Sequence, residues 1–354
     1  MKIFTCTHCN QLVYFENDKC EHCGHKLGFD TETLQIVALQ PFENNTFTIL
    51  ASKKNYRYCA NYQHHVCNWL IPENNITPYC KACDINRTIP NINTPNYFAR
   101  WQTIETAKHR LVYTLLRLNL PLYNKITDPN KGLAFDFVSD DNSDDKDRIL
   151  TGHDNGLITI NIAEADDIER EMARKNMAEL YRTVLGHFRH EIGHYYWDRL
   201  IADTNKQAAF RQYFGDETID YELALQKHYT QGAAVNWNQS FISAYATTHP
   251  WEDWAETWAH YLHIMDTLET AFAFGISIHP SIAKKSKDHN ADITTDPYTI
   301  ANFSNILSLW LPLTFTMNSL NRSMGLNDSY PFIIPQKVVE KLHFIHNLCY
   351  SYHR

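Results

Sequence analysis

Hydrophobic and polar positions change rhythm along this chain, and the changes mark its elements. Between residues 98 and 119, Trp101, Ile104, Leu111, Leu115 and Leu118 recur at roughly helical intervals and Pro121 ends the run, which predicts a helix. Residues 133–138 and 149–151 read as strands. A stronger one spans 157–162, where Leu157, Thr159 and Asn161 alternate with Ile158, Ile160 and Ile162, and His153-Asp154-Asn155-Gly156 before it carries hairpin-turn chemistry. From 165 to about 202 the pattern is helical with one break, and further helices are expected over 216–229, 251–272, 298–311 and 336–350. Helices dominate and a small sheet lies beside the longest of them, so this part reads as an α+β domain.

The first 95 residues follow neither rhythm for long. Thr, Ile, Val and Phe between 31 and 50 suggest short ribbon strands, and eight of the nine cysteines fall within the first 83 residues. Cys6-x2-Cys9 and Cys20-x2-Cys23 form one CxxC…CxxC group. Each CxxC turn aims two thiolates at one point, and two such turns complete a tetrahedral site for Zn²⁺. Gly24 follows Cys23 where the turn wants a residue free at positive φ. Cys59, Cys67, Cys80 and Cys83 form a second, looser group, in which His64 or His65 is an alternative ligand. Both groups are expected to hold structural zinc, which gives cohesion to a region with few large apolar residues. Cys349 shares a helical face with Val338, Leu342 and Ile345 and is expected in the core.

The segment 88–96, with Pro90 and Pro95 and no periodicity, is the clearest linker. It divides a zinc-ribbon region, 1–95, from a second domain, 96–354, a count in keeping with 354 residues. Residues 1–95 balance eight Lys/Arg against eight Asp/Glu, and the rest, with 24 against 32, carries the whole net charge of −8. Neither part has the basic excess that dominates nucleic-acid affinity, so nucleic acid is not an expected partner. The acidic run at 140–147 reads as a solvated loop. The longest apolar stretch, 305–320, is broken by Pro312 and polar residues, and the N-terminus has no apolar run before Cys6. No membrane span or secretory signal is therefore expected, and a cytoplasmic location is.

Candidate chemistry lies in the long helix. His190-Glu191-x-x-His194 is an HExxH motif: four residues make just over one turn, so both imidazoles leave one face and can share a Zn²⁺. Glu191 is placed to take a proton from the metal's water, and Gly193 leaves room for close packing. His187, one turn earlier, suits a supporting or core position. A third ligand is required. Pro250 suits a helix entrance, which puts Glu252 in the first turn and Glu256 on the same face. Glu252 can ligate while Glu256 accepts a hydrogen bond from a ligand histidine, and the reverse assignment stays open. Asp253 points about 100° away and is discounted. His260 and His263 are expected to pack or face solvent.

An HExxH helix followed by Tyr, six residues and Glu-x-x-Ala-Glu resembles the catalytic domain of anthrax lethal factor and the Pro-Pro endopeptidases. The resemblance implies that Glu252 is the third ligand, that Tyr245 assists at the oxyanion and that Glu256 supports a ligand. More broadly, Thr151-Gly152-His153, the run from Leu185 to Trp197 and the N-terminal double-CxxC region resemble a bacterial family of zinc-binding metallopeptidases preceded by a zinc ribbon. That resemblance spans most of the chain. It implies a zincin-like domain with one catalytic and two structural zinc ions, acting on a peptide or protein substrate. The ribbon would dock a protein partner. The strand at 157–162 is expected either to offer an edge to an extended substrate or to lie inside the sheet. Two rival readings remain: a nucleic-acid-guided protease resembling the SprT-like enzymes, which place the ribbon after the catalytic helix and use a third histidine, and a non-catalytic interaction protein on a zincin scaffold.

Overall fold

The computed structural model describes residues 2–43, 46–50, 54–140, 151–166, 183–282 and 289–353. The acidic run from 141, the Ile149-Leu150 part of an expected strand and the first half of the expected 165–202 helix lie outside them. Among the described residues are thirteen short strands and seven α-helices, an α+β architecture.

The N-terminal region is built on cysteine turns. Strands β1 (Phe4–Thr5) and β2 (Leu12–Val13) form a hairpin, and β3 (Lys26–Asp30), β4 (Gln35–Pro41), β5 (Phe47–Ile49), β6 (Asn55–Tyr58) and β7 (Leu70–Pro72) form an antiparallel meander in that order. In three knuckles the carbonyl of the leading cysteine accepts the N–H four residues on: Asn10 to Cys6 at 2.9 Å, Gly24 to Cys20 at 2.8 Å and Asp84 to Cys80 at 2.8 Å. Gly24 has φ +75°, the left-handed conformation that glycine adopts without strain.

Beyond the meander, β8 (Asn86–Thr88) is followed by α1 (Tyr97–Arg117), β9 (Ala134–Val138), β10 (Gly152–Asp154) and β11 (Leu157–Asn161). These strands make one sheet in the order β10-β11-β9-β8. β8 precedes the linker yet pairs in parallel with β9, so both regions contribute to this sheet. They also share one core. Phe15 and Phe29 of the ribbon region pack on Tyr113 of α1, with ring centres 5.4 and 5.9 Å away. The strand with the stronger alternation, β11, is interior, with β10 on one side and β9 on the other, so it offers no edge; β10 and β8 are the edge strands among the described residues. The hairpin turn is Asn155-Gly156, both at positive φ, and it starts two residues later than the sequence pattern suggests because Gly152–Asp154 is itself strand.

Helices then take over: α2 (Val184–Leu200), α3 (Gln207–Phe214), α4 (Tyr221–Gln231), α5 (Pro250–Ala273), α6 (Phe303–Ser323) and α7 (Gln336–His353), with a small hairpin of β12 (Ser277–Ile278) and β13 (Ala291–Asp292) after α5. Two expectations are corrected. The helix expected over 216–229 starts only at Tyr221 and runs to Gln231, where Asp220 caps it by accepting the Leu223 N–H at 2.9 Å; α3 before it, ended by Gly215 at φ +101°, is not predicted by the sequence pattern. The helix expected over 298–311 starts at Phe303 and runs through Pro312, since buried Phe303, Ile306, Trp310 and Leu313 hold both halves to the core. Cys349 is fully buried with Val338, Leu342 and Ile345, as its spacing implies.

The α2–α5 pair is the centre of the second region. A Cβ on Gly193 would meet the Ala255 Cα at 3.0 Å and the Trp258 Cβ at 3.3 Å, so the two backbones approach where only glycine leaves space. The Trp254 indole N–H donates to the Gly193 carbonyl at 2.8 Å across the same contact. Below it, buried Arg189 pairs with Asp266, whose carboxylate also accepts from Thr114 of α1 at 2.7 Å and Tyr298 at 2.9 Å. One charged group thus ties three helices together, and its hydrogen bonds meet the condition for burying such a pair.

Gly193→Ala sets two effects against each other. Alanine in a helix interior gains about 1 kcal/mol over glycine, but overpacking against a backbone atom costs about 1–3 kcal/mol. The second should win, because the Ala255 Cα cannot move without the helix. Thermal unfolding of Gly193→Ala is expected several degrees below wild type with weaker zinc retention; a stabilised variant with unchanged metal content would contradict the close approach.

Candidate metal centre

Local sequence prepares both helices. The Thr183 hydroxyl caps α2 by accepting the Gly186 N–H at 3.0 Å, so His190-Glu191-x-x-His194 falls in mid-helix. The His249 side chain caps α5 by accepting the Trp251 N–H at 3.0 Å, and Pro250 occupies the first helical position. Glu252 and Asp253 therefore stand in the first turn, where the helix dipole favours carboxylates. Asp253 turns away from the site to Lys341 Nζ at 2.6 Å.

The donor set converges. The Nε2 atoms of His190 and His194 lie 3.2 Å apart. Glu252 meets both, with Oε2 3.0 Å from His190 Nε2 and Oε1 3.5 Å from His194 Nε2. Glu256 lies behind His190, with Oε1 2.7 Å from Nδ1. A proton on Nδ1 serves that bond and leaves the Nε2 lone pair facing Glu252 and His194. By geometry Glu252 is the ligand candidate and Glu256 its support.

These residues fit a divalent ion. Ligand atoms of His190, His194 and Glu252 all lie within 4.8 Å of one another, and Glu252 Oε2 is buried with no hydrogen-bond partner. An orphaned carboxylate oxygen beside two imidazole lone pairs lacks a positive partner, and two histidines with one carboxylate suit Zn²⁺. The field agrees. Burial opposes charge on His190, yet Glu252 and Glu256 overcome it and raise its pKa well above the ordinary value. Burial likewise opposes ionised Glu252, but the His194 and His190 imidazoles hold it well below the usual carboxylate range.

Glu191 is buried, and its Oε1 lies 3.5 Å from His187 Nε2. Burial pushes the Glu191 carboxyl up, but His187 and His190 outweigh it and keep it below the ordinary value. Burial would also discharge His187, but Glu164, 3.5 Å from its Nδ1, and Glu191 carry it to about 9. Tyr245 sits in a single 3₁₀ turn, Tyr245–Thr247, its ring centre 6.0 Å from that of His190. His260 and His263 serve the core instead: His260 Nδ1 pairs with the Tyr330 hydroxyl at 2.8 Å, and His263 Nδ1 lies 2.9 Å from Arg189.

Three neighbours escaped sequence reasoning. Tyr221 donates its hydroxyl to Glu252 Oε1 at 2.8 Å. Trp251 lies against the His194 ring at 4.0 Å, and His153 of β10 at 6.2 Å. Burial brings the His153 pKa down to about 4. Trp251 adjoins Glu252 in sequence and was within reach, and His153 lies in the Thr151-Gly152-His153 part of the family resemblance, but Tyr221 arrives from a distant segment with no local signal.

Both cysteine groups gather. Cys6, Cys9, Cys20 and Cys23 form one cluster, and Cys59, Cys67, Cys80 and Cys83 the other. In the second, Cys59 Sγ accepts from the Cys80 N–H and Cys67 Sγ from the Trp69 N–H, both at 3.4 Å. Four sulfurs suffice there. His64 packs on Trp101 and His65 near Tyr62, outside the cluster. The buried His109 of α1 has Nε2 3.6 Å from Cys83 Sγ, so this cluster touches the second region directly.

His190 and His194 on α2, Glu252 and Glu256 on α5 and two four-cysteine clusters define a zinc-binding chain with a ribbon. Comparison with protein families agrees. The model described as "Putative zinc-binding metallo-peptidase" matches residues 97–348, and a zinc-ribbon domain model matches residues 3–94. The chain belongs to that metallopeptidase family. It is 40% identical over 351 residues to proteins of Mycobacterium bovis and of two strains of Mycobacterium tuberculosis, covering 98% of this chain and 95% of theirs. All three are named as uncharacterized. No solved structure matches. Among the described residues no helix is long and apolar enough to cross a membrane.

Elemental analysis separates the two glutamates. The purified chain should hold about three zinc ions, one at each four-ligand cluster and one here. His190→Ala and Glu252→Gln should each lose one ion. Glu256→Gln should keep it with affinity weakened about 10- to 100-fold. Loss of zinc in Glu256→Gln with full retention in Glu252→Gln would reverse the assignment.

Proposed function

We propose that this protein is a zinc-dependent metallopeptidase of zincin-like fold that hydrolyses peptide bonds in a peptide or protein substrate. The observation that carries this reading is the convergence of His190, His194 and Glu252 within 4.8 Å, with ionised, buried Glu191 on the same helix. Zn²⁺ bound there would polarise the scissile carbonyl and lower the pKa of its water.

The chain's own groups supply the remaining steps. Glu191 accepts the water's proton and later gives it to the leaving amine, a role that needs the carboxylate form at neutral pH. His187, between Glu164 and Glu191, keeps Glu191 ionised and oriented. Glu256 fixes the His190 ring through Nδ1. Tyr245, beside His190, is suited to hydrogen-bond the developing oxyanion through its phenol. An extended peptide has β10 to pair with, since that edge strand reaches α2 and carries His153 to the His194 ring. The balanced charge of the ribbon region supports a protein partner for it over nucleic acid.

Glu191→Gln tests the reading. It keeps the shape of the side chain and leaves the metal ligands intact. Hydrolysis of a quenched fluorescent peptide library should fall at least about 100-fold, the scale of general-base catalysis, with zinc content unchanged. Undiminished hydrolysis in this variant would remove Glu191 from the mechanism.

A further inference from the structure

The Glu252 carboxylate has two inequivalent oxygens. Oε2 faces His190 Nε2 at 3.0 Å and is buried without a hydrogen-bond partner. Oε1 accepts the Tyr221 hydroxyl at 2.8 Å and stands farther from the imidazoles, 3.5 Å from His194 Nε2. Tyr221 is the first residue of α4, a helix without a single fully buried residue. Something other than core packing must bring it to the metal centre.

His249 does so. Its Nδ1 accepts the Trp251 N–H at 3.0 Å and thereby caps the helix that carries Glu252. That bond leaves the proton on Nε2, which donates to the Ile219 carbonyl at 3.1 Å, two residues before Tyr221. The Tyr221 ring lies 5.3 Å from the His249 ring and 6.1 Å from Trp251, both edge-on. Asp220 closes the arrangement by capping α4 through the Leu223 N–H at 2.9 Å. One histidine therefore clamps the chain before Tyr221 to the start of α5, and the phenol reaches back to a carboxylate three residues beyond that histidine.

We propose that Tyr221 is a positioning residue for the third metal ligand: its hydroxyl occupies Glu252 Oε1, so that Oε2 alone is presented to the ion, and His249 sets the phenol in place. This rests on the metal-centre reading above. A carboxylate pinned at one oxygen binds through the other without losing torsional freedom on each binding event. A free one must be ordered by the metal itself and can swing to bind through both oxygens. The hydrogen bond also meets the need of Oε1, which would otherwise be a second unsatisfied buried acceptor.

Tyr221→Phe keeps the ring and removes only the hydroxyl. In the full chain, chelator competition read by elemental analysis should show the catalytic zinc held about 10- to 100-fold more weakly. The ions of the two cysteine clusters should be retained as in wild type, and the far-ultraviolet circular dichroism should be unchanged. A merely structural role for Tyr221 would move the circular dichroism instead and would overturn the proposal. His249→Asn retains a capping side chain but cannot span to Ile219, and should show a smaller loss in the same direction. His190→Ala separates the two levels of inference. If it keeps all its zinc, the metal-centre reading itself fails. If it loses one ion while Tyr221→Phe binds zinc as tightly as wild type, the assignment of Tyr221 alone is wrong.

Discussion

The site depends on how closely two helices approach. Gly193 of α2 lies against Ala255 of α5, where a Cβ would stand only 3.0 Å from the Ala255 Cα. This contact brings a face bearing His190 and His194 against a face bearing Glu252 and Glu256. A wider separation would leave the carboxylates short of the imidazoles; a rotation of α5 by one residue, about 100°, would replace Glu252 by Asp253. Asp253 is committed elsewhere, to a buried ion pair with Lys341 of α7. That pair also fixes the rotation of α5, because turning the helix would strand a buried lysine.

Around this contact, a network of buried polar groups links the helices. Arg189, one residue before the first ligand histidine, pairs with Asp266, and Asp266 collects hydroxyls from α1 and the turn before α6. The second cysteine cluster reaches the same region from the other side through His109 of α1. Lys108, the residue before it, is fully buried against Glu105. The ribbon region is thus joined to the second region by packed aromatic rings, a shared sheet and the contact between His109 and Cys83, although a proline-containing linker separates them in sequence.

What could be read from sequence was what is local. An i,i+4 pair of histidines, an i,i+4 pair of glutamates after a proline and two CxxC turns place their ligands by helix or turn geometry alone, and the structure brings each set together. The choice between Glu252 and Glu256 was not local; it depended on which oxygen meets Nε2 across the helix pair. His64 and His65 resembled ligands only because the Cys59–Cys67 spacing is loose. Helix limits failed where tertiary packing overrode punctuation, as at Pro312, or where a cap sets the start later than the pattern, as at Asp220. Tyr221 had no local signal, since it is delivered by a segment whose own pattern says nothing of the site, and His153 was marked only as part of the family resemblance, with no role attached.

Crystallographic anomalous scattering at the zinc edge tests the central claim most directly. The account requires three peaks: two within the cysteine clusters and one between α2 and α5, about 2.0–2.2 Å from the Nε2 atoms of His190 and His194 and from a Glu252 oxygen. A third peak bonded to any other residue set, or density confined to the cysteine clusters in fully metallated protein, would contradict it.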